Sequence, residues 1–546
     1  LSVSDIGWGP RQALDYIRNL ADYQWFEEYQ PVGAGQQGEA DEQEQPDVTN
    51  ESAVGRSQLY SFGGKQTPTT AYLERAAEEL KELSSLRYPN RSLAVVKSTL
   101  AANYGTAEES WREPPPRHAE VAEELWKEYP RVDCSYIEKS FGDGAAAVKA
   151  FNRIYTEAVL DVVPRSGPGV PCNKLAGQNG KLLDEFGELI KVVVKGRWNA
   201  LSKSLGEVED ADEFAVKAVE NNYADPWRLH LKNEPTKVAK LDVGKARIIM
   251  GCSLIDQLID RMSIGQFCKA CVSNWETIPS MIGAGASDED MAKIHDILWD
   301  PEKTRAHSDM SSYDYTVQDW ENTQFFTGVA KAQNAGPKLT TVIDNRSKLW
   351  NHPVVCLPDG TLHTQPRPGI TKSGGYPTGT INSWTRNYKA RLVQNWEALT
   401  DPSLPLQKGW SRSVGDDCAE TFVEGAKEKY DALGACCKHY VAYGKGSASW
   451  FELCSLRYDG GDPVGRPCNW VKALFVLLSN KPSMERFEQF AFEMRHLDEA
   501  TLARIDAVLS RAGWCRDIES TNVTQEKEEC PGRKGSDAKC LREGGL

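Results

Sequence analysis

The chain has 546 residues, too many for one ordinary hydrophobic core, so several domains or one large multi-lobed fold are expected. A hydrophobic content of 40% and a charged content of 26% fit a soluble globular chain. The longest apolar run, Val471 to Ser479, is far too short for a membrane span. The formal net charge of −14 argues at first against a nucleic-acid partner, but residues 1–60 alone carry 11 acidic against 3 basic residues, so a local basic channel elsewhere is not excluded. The 14 cysteines are scattered through apolar or helical stretches, which suits a reducing compartment. Cys268 and Cys271 have CxxC spacing with no second pair, and read as small core residues on one helix. Cys530 and Cys540 flank a Gly/Lys-rich tail and read as incidental.

The N-terminus lacks an initiator Met and the plan of a signal peptide, as a fragment of a longer precursor or a truncated chain would. Residues 1–30 carry Trp8, Leu14, Tyr16, Ile17, Leu20, Tyr23, Trp25 and Phe26 at partly helical spacing. From Pro31 to Ser57 the composition turns to Gly, Gln, Glu, Asp and Pro, a flexible linker by expectation, so that deletion of residues 1–57 should spare the chemistry. Leu73 to Leu86 reads as an amphipathic helix, and Ala119–Tyr129 and Gly144–Leu160 as further helices. Arg165-Ser166-Gly167-Pro168-Gly169-Val170-Pro171 must be an irregular loop with exposed backbone amides, which by itself reads as a connector.

Lys232, Lys237, Lys240, Lys245 and Arg247 follow in a short span, the last two leading into Ile248-Ile249-Met250. Strand alternation sends Lys245 and Arg247 to one face, suited either to gripping a triphosphate or to plain solvation. Thr304–Asp309 reads as a strand ending at an acid, followed by a polar turn to Asp314 and a helix from Val317 to Lys331. An Asp there can hold a hard cation or cap the helix. Ser373-Gly374-Gly375 opens a glycine-rich loop into a helix starting near Thr378, which puts Thr378 and Asn382 on one face.

Ser413-Val414 then runs into Gly415-Asp416-Asp417, a turn with adjacent carboxylates and a return strand expected around Glu420–Val423. Adjacent carboxylates repel, so a fold that places them at a hairpin tip has a cation for them. Lys427–Leu433 is helical, Gly434 ends it, and Lys438 precedes a strand at His439–Tyr443. Trp450–Tyr458 alternates into a hairpin, and Trp470 to Trp514 is helical in pattern.

Taken in order, these parts resemble the palm of a positive-strand RNA virus RNA-dependent RNA polymerase, over roughly residues 160–460. Asp309 and Asp314 match the first palm motif, Ser373-Gly374 with Thr378 and Asn382 the second, and Gly415-Asp416-Asp417 the third. Tyr430, Leu433, Gly434 and Lys438 resemble the fourth, and Phe451, Cys454 and Ser455 the primer-gripping fifth. Lys232 and Arg247 match the anchor cations of the fingers motif, and Ser166-Gly167-Pro168-Gly169 the motif where template enters. The wording of the motifs is most similar to the sobemovirus, polerovirus and barnavirus branch.

The resemblance implies an α+β right-hand fold. Residues 1–60 would be an acidic segment holding a genome-linked protein remnant or merely a linker. Residues 61–300 would form an N-terminal extension and fingers, and 301–460 the palm, with fingers inserted near 335–372. Residues 461–515 would be a helical thumb and 516–546 a flexible tail. It further implies that Asp309, Asp416 and Asp417 hold two Mg²⁺ ions, with Mn²⁺ able to substitute, and that Lys438 acts as general acid. Lys232, Lys245 and Arg247 would bind the triphosphate; Asp314, Asn382 and Ser373 or Thr378 would read the 2′-hydroxyl. Gly374, Cys454 and Ser455 would touch template or primer. The implied partners are template and nascent RNA, ribonucleoside triphosphates, a genome-linked protein primer and other viral replication proteins. The implied location is the host cytoplasm, in membrane-associated replication complexes. A reverse transcriptase would carry an aromatic residue before the Asp pair and a bulky residue over the sugar, where this chain has Gly415 and Asn382. A non-catalytic RNA-binding protein would need the basic strand but not Asp309, Asp416 and Asp417 together.

Overall fold

In the computed structural model, which describes residues 10–25, 53–57 and 66–518, a mostly buried strand, Thr304–Met310, lies inside a four-stranded antiparallel sheet. The strand order is Ser411–Val414, Asp417–Thr421, Thr304–Met310, Cys437–Gly444. Cys418 pairs with Ser308 on one side, and His439 pairs with Asp309 on the other. The helix Thr378–Gln394 packs on this sheet, and every residue from Thr380 to Val393 is buried. Its cations are therefore paired: Arg386 with Glu420, Lys389 with Glu321, Arg391 with Glu128.

A second, six-stranded sheet runs Gln24–Trp25, Ala53–Arg56, Thr361–Thr364, Val354–Cys356, Trp227–Leu231, Ile248–Gly251. It is mixed, because Trp227–Leu231 runs parallel to Val354–Cys356 while its other neighbour is antiparallel. Trp227, Leu229 and Leu231 are buried and the residues between them are not, the alternation of a strand with one face in a core. The N-terminal helix Pro10–Ala21 buries Ala13 and Ile17 in the main core.

Part of the expected linker is corrected here. Residues 26–52 lie outside the described residues, but Ala53–Arg56 is a strand paired with Gln24–Trp25 and with Thr361–Thr364. Gly55 permits the pairing, since a Cβ there would come within 2.6 Å of the Gln24 carbonyl oxygen. A four-residue strand embedded in a polar stretch is lost when composition is averaged over the window.

The chain divides into two compact units. Both sheets fall in the unit formed by Leu1–Gln66, Pro89–Glu234 and Lys240–Gly465. The other gathers Thr67–Tyr88, Pro235–Ala239 and Arg466–Leu546 around Leu73, Leu80, Leu474, Leu478, Val508 and Leu509. Residues 67–88 thus join the C-terminal helices rather than the segment 61–300. Within this unit the expected helix Leu73–Leu86 is a shorter one, Ala71–Glu79, capped by Thr70 and followed by a 3₁₀ turn, Lys81–Ser85. Leu80 is extended and fully buried between them, which breaks the helical path. Trp470 to Trp514 contains separate helices, Trp470–Leu478, Met484–Met494 and Glu499–Ala512, because Ser483 and Asp498 each cap a new start. Residues 519–546, most of the expected tail, lie outside the described residues.

Candidate active site

The carboxylate turn follows from local chemistry. Ser411–Val414 ends at Gly415, whose φ of +60° is the left-handed region that a side chain disfavours. A Cβ at Gly415 would meet nothing within 4 Å, so glycine serves conformation rather than space. The return strand begins earlier than expected, at Asp417, which pairs with Val414. The register Cys418 to Ser308, carried one residue further, sets Asp417 alongside Asp309, with Asp416 at the tip of the turn. Burial, then the charges of Asp416 and Asp309, push the Asp417 carboxyl up to about 6. Asp416 is raised too, by burial first and then by Asp309.

Two groups already address these carboxylates. Lys438 Nζ lies 2.9 Å from Asp309 Oδ2. The register shifts between Cys437 and His439, so Lys438 is the extra residue of a bulge, the usual device for re-aiming a side chain. The backbone N–H of Cys454 donates to Asp417 Oδ2 at 3.0 Å. Cys454 and Ser455 form the tight turn of the hairpin Trp450–Leu453 and Leu456–Asp459, both with positive φ.

The donor set fits a hard divalent cation. It consists of oxygen ligands on adjacent strands whose mutual repulsion a cation would relieve. Among the described residues no three Asp, Glu, His or Cys side chains close around a common point; Asp309 meets Lys438, and Asp417 meets the Cys454 N–H.

Asp314 follows a polar turn in which Ser312 takes positive φ, and lies in the short helix Tyr313–Thr316; the next helix is Asp319–Ala332. Asn382 Nδ2 donates to Asp314 Oδ1 at 2.9 Å. Asn382 Oδ1 is buried with no hydrogen-bond partner among the described residues. Burial raises the Asp314 carboxyl to about 6 despite the Asn382 hydrogen bond. The helix carrying Asn382 starts at Thr378 as expected.

Ser373 and Thr378 are engaged differently from the expectation. The Ser373 hydroxyl donates to Ile248 O at 3.3 Å and accepts from Met250 N at 3.4 Å. The Thr378 hydroxyl donates to Lys372 O and Gly375 O, at 2.6 and 2.8 Å. Both therefore shape the glycine-rich loop rather than face the Asn382–Asp314 pair. Gly374 N–H donates to Met250 O, and a Cβ at Gly374 would lie 2.4 Å from that oxygen, so glycine is what lets loop and strand touch.

The strand beside that loop is Ile248–Gly251, so Lys245 and Arg247 lie just before it rather than in it. The alternation nevertheless extends backward, with Lys245 and Arg247 exposed and Ala246 buried between them. Lys232 N–H donates to Arg247 O at 2.8 Å, and both side chains reach Glu234, at 3.1 and 3.7 Å. Ser166 and Gly167 are exposed, and Pro168 O accepts from Leu254 N at 2.8 Å. Gly169 has φ +70°, and a Cβ there would strike Cys252 O at 2.7 Å. The loop is thus seated against the residues that follow the strand Ile248–Gly251. Cys268 and Cys271 are both buried on the helix Leu254–Ser273, as expected of core residues.

Three residues below the carboxylate turn escape sequence reading: Ser383, Arg386 and Asn387. The Ser383 hydroxyl accepts from Gly415 N, Arg386 Nε donates to Asp416 O, and Asn387 Nδ2 donates to the Ser413 hydroxyl. Their spacing from Asn382 on one helix is the signal that could have found them.

Comparisons with known proteins agree on one family. A model of "Viral RNA-dependent RNA polymerase" matches residues 211–431, and one of "Viral RNA-directed RNA-polymerase" matches residues 37–292. The replicase polyprotein P2AB of Southern bean mosaic virus is 32% identical over 436 residues, 76% of this chain and 41% of that protein. The RNA-directed RNA polymerase of Mushroom bacilliform virus is 28% identical over 365 residues, 65% of this chain and 84% of that protein. Protein P1-P2 of Potato leafroll virus is 28% identical over 305 residues, 52% of this chain and 27% of that protein. The chain spans less than half the length of the Southern bean mosaic virus polyprotein it matches.

Proposed function

The chain belongs to the viral RNA-dependent RNA polymerases, and from that membership we propose that it copies an RNA template into RNA by nucleotidyl transfer at the Asp309, Asp416, Asp417 site. What carries this reading is the antiparallel register that sets Asp417 beside Asp309, with Asp416 at the tip and the Asp309 charge helping to raise both Asp416 and Asp417. In this reading the four-stranded sheet with its helix is the palm, the six-stranded sheet belongs to the fingers, and the C-terminal helices form the thumb.

Asp309 and Asp416 would hold the catalytic Mg²⁺ ions, with Asp417 assisting. The chemistry such ions would supply there is a lower pKa for the primer 3′-hydroxyl and neutralised charge on the pyrophosphate. Lys232, Lys245 and Arg247 bind the triphosphate, for which their exposed cationic groups are suited. Lys438 is released from Asp309 to give its proton to the departing pyrophosphate oxygen. Asp314 and Asn382 hydrogen-bond the ribose 2′-hydroxyl, a role supported by the hydrogen bond that couples the two side chains. Ser166–Gly169 guide the template, and Gly374 and the Cys454–Ser455 turn support template and primer.

No described helix is long and apolar enough to cross a membrane. In this reading the chain works with template and nascent RNA, ribonucleoside triphosphates and other viral replication proteins in membrane-associated complexes of the host cytoplasm, with initiation either de novo or on a genome-linked protein. Purified chain with Mg²⁺, a homopolymeric RNA template and a short primer should incorporate the complementary ribonucleotide and reject the others. Incorporation independent of template sequence, or none with the protein intact, would overturn the reading.

A further inference from the structure

The helix Thr378–Gln394 carries a fully buried arginine that the proposed chemistry does not use. Arg386 has no exposed surface and sits beneath the Gly415–Asp417 turn. Its Nε donates to the Asp416 carbonyl at 3.0 Å, and one terminal nitrogen donates to the Tyr430 hydroxyl at 3.0 Å. The other donates to the Ser308 hydroxyl and to Glu420 Oε1, the latter at 3.3 Å. Glu420 is itself fully buried and accepts from Tyr430 OH at 2.6 Å, so the charge is compensated and every nitrogen is engaged. The guanidinium thereby ties together the strand of Ser308, the strand of Glu420, and the peptide of the metal-facing Asp416. One residue away on the same turn, Gly415 N–H donates to the Ser383 hydroxyl at 2.9 Å.

Gly415 is left-handed with open space on its Cβ side, and on the helix side Ser383 and Arg386 bond the peptides of Gly415 and Asp416. Asn382, which faces Asp314, precedes Ser383 directly and lies one helical turn before Arg386. One rigid helix face therefore holds the carboxylate turn and the Asn382 amide in fixed relation.

We infer that Arg386, with Ser383, is a positioning residue that fixes the Asp416 peptide so that its carboxylate and that of Asp309 converge on one divalent cation. The inference rests on the proposed reading of that turn as a cation site. Outer groups that orient metal-binding residues typically change metal affinity by about 10- to 100-fold when removed. Lysine cannot make Arg386's several directed bonds, although it keeps the charge for Glu420.

The test is Mn²⁺ binding to the full chain, without RNA or nucleotide, followed by electron paramagnetic resonance. The parent, Arg386→Lys, Ser383→Ala and Asp416→Asn are compared, with circular dichroism and RNA affinity measured on each. Arg386→Lys should weaken Mn²⁺ binding by about 10-fold or more while keeping the parent's helix content and RNA affinity. Ser383→Ala should shift in the same direction, and it carries the test if the lysine variant fails to fold. Mn²⁺ affinity equal to the parent's in a folded Arg386→Lys or Ser383→Ala protein overturns the inference, as does a parent that binds no Mn²⁺. Nucleotide incorporation by the parent is measured alongside: its absence counts against the polymerase reading, whereas unchanged Mn²⁺ affinity in the variants counts against Arg386.

Discussion

Asn382→Ala probes the sugar-reading pair most sharply. Asn382 is 9% exposed, donates to Asp314 at 2.9 Å, and keeps its Oδ1 buried and unpartnered. In the proposed reading this pair hydrogen-bonds the ribose 2′-hydroxyl, and a deoxyribose leaves its buried polar groups unpaired. Removing the amide loses one hydrogen bond to the ribose and frees Asp314 from its orienting partner. The loss is roughly 1–3 kcal/mol, or about 5- to 150-fold in kcat/KM for ATP. For dATP the variant loses much less, because the missing hydroxyl had already left the site unsatisfied. Discrimination, the ratio of kcat/KM for ATP to that for dATP, should therefore narrow by about the same factor. Single-nucleotide incorporation on a primed template measures both. A proportional fall for the two nucleotides would refute the reasoning and leave Asn382 as a support of the helix alone.

Deleting residues 1–57 removes the strands Gln24–Trp25 and Ala53–Arg56 from the six-stranded sheet and Ala13 and Ile17 from the core. The truncated protein should melt well below the parent, contrary to the linker expectation; equal melting temperatures would refute this. Lys438→Met should lower turnover by about 100-fold. Because the Lys438–Asp309 pair is about half exposed, its loss should change stability by under about 1 kcal/mol in denaturant unfolding, and a larger change would assign Lys438 a structural role. Asp314 and Asp417, held up to about 6 by burial, keep protons in the folded state that the unfolded chain releases. Their contribution to the stability of the metal-free protein is full below the ordinary Asp value, 3.8, and is lost as the pH rises through about 6. As the pH rises from about 5 to about 7.5, the parent should therefore lose this contribution where Asp417→Asn has none to lose at that position; the same pH dependence of melting in parent and variant would refute the assignment.

Much of the site is legible in the sequence alone, because its chemistry is local. The spacing of Asp309 and Asp314, the helix start at Thr378 and the glycine before Asp416 follow from turns and strand ends within a few residues. What long-range packing decides is not legible. Arg386, Lys389 and Arg391 have the look of a helix's solvent face, yet all are buried because Glu420, Glu321 and Glu128 arrive from distant segments. The Ser373 and Thr378 hydroxyls pair with backbone carbonyls that only the folded loop brings near. Ala53–Arg56 becomes a strand because Thr361–Thr364 offers it an edge, information absent from its own composition. The helix Ala71–Glu79 finds its partners among helices almost the whole chain away, which no local pattern can signal.

The central claim, that Asp416 is a metal ligand for RNA synthesis, is tested most directly by Asp416→Asn, assayed at once for primer extension and for RNA binding. The amide keeps the shape of the side chain and removes its charge. The account predicts extension lower by several orders of magnitude with RNA affinity unchanged, and no further loss when Asp309→Asn is added, since both damage one site. Extension by Asp416→Asn at the parent's rate would contradict it.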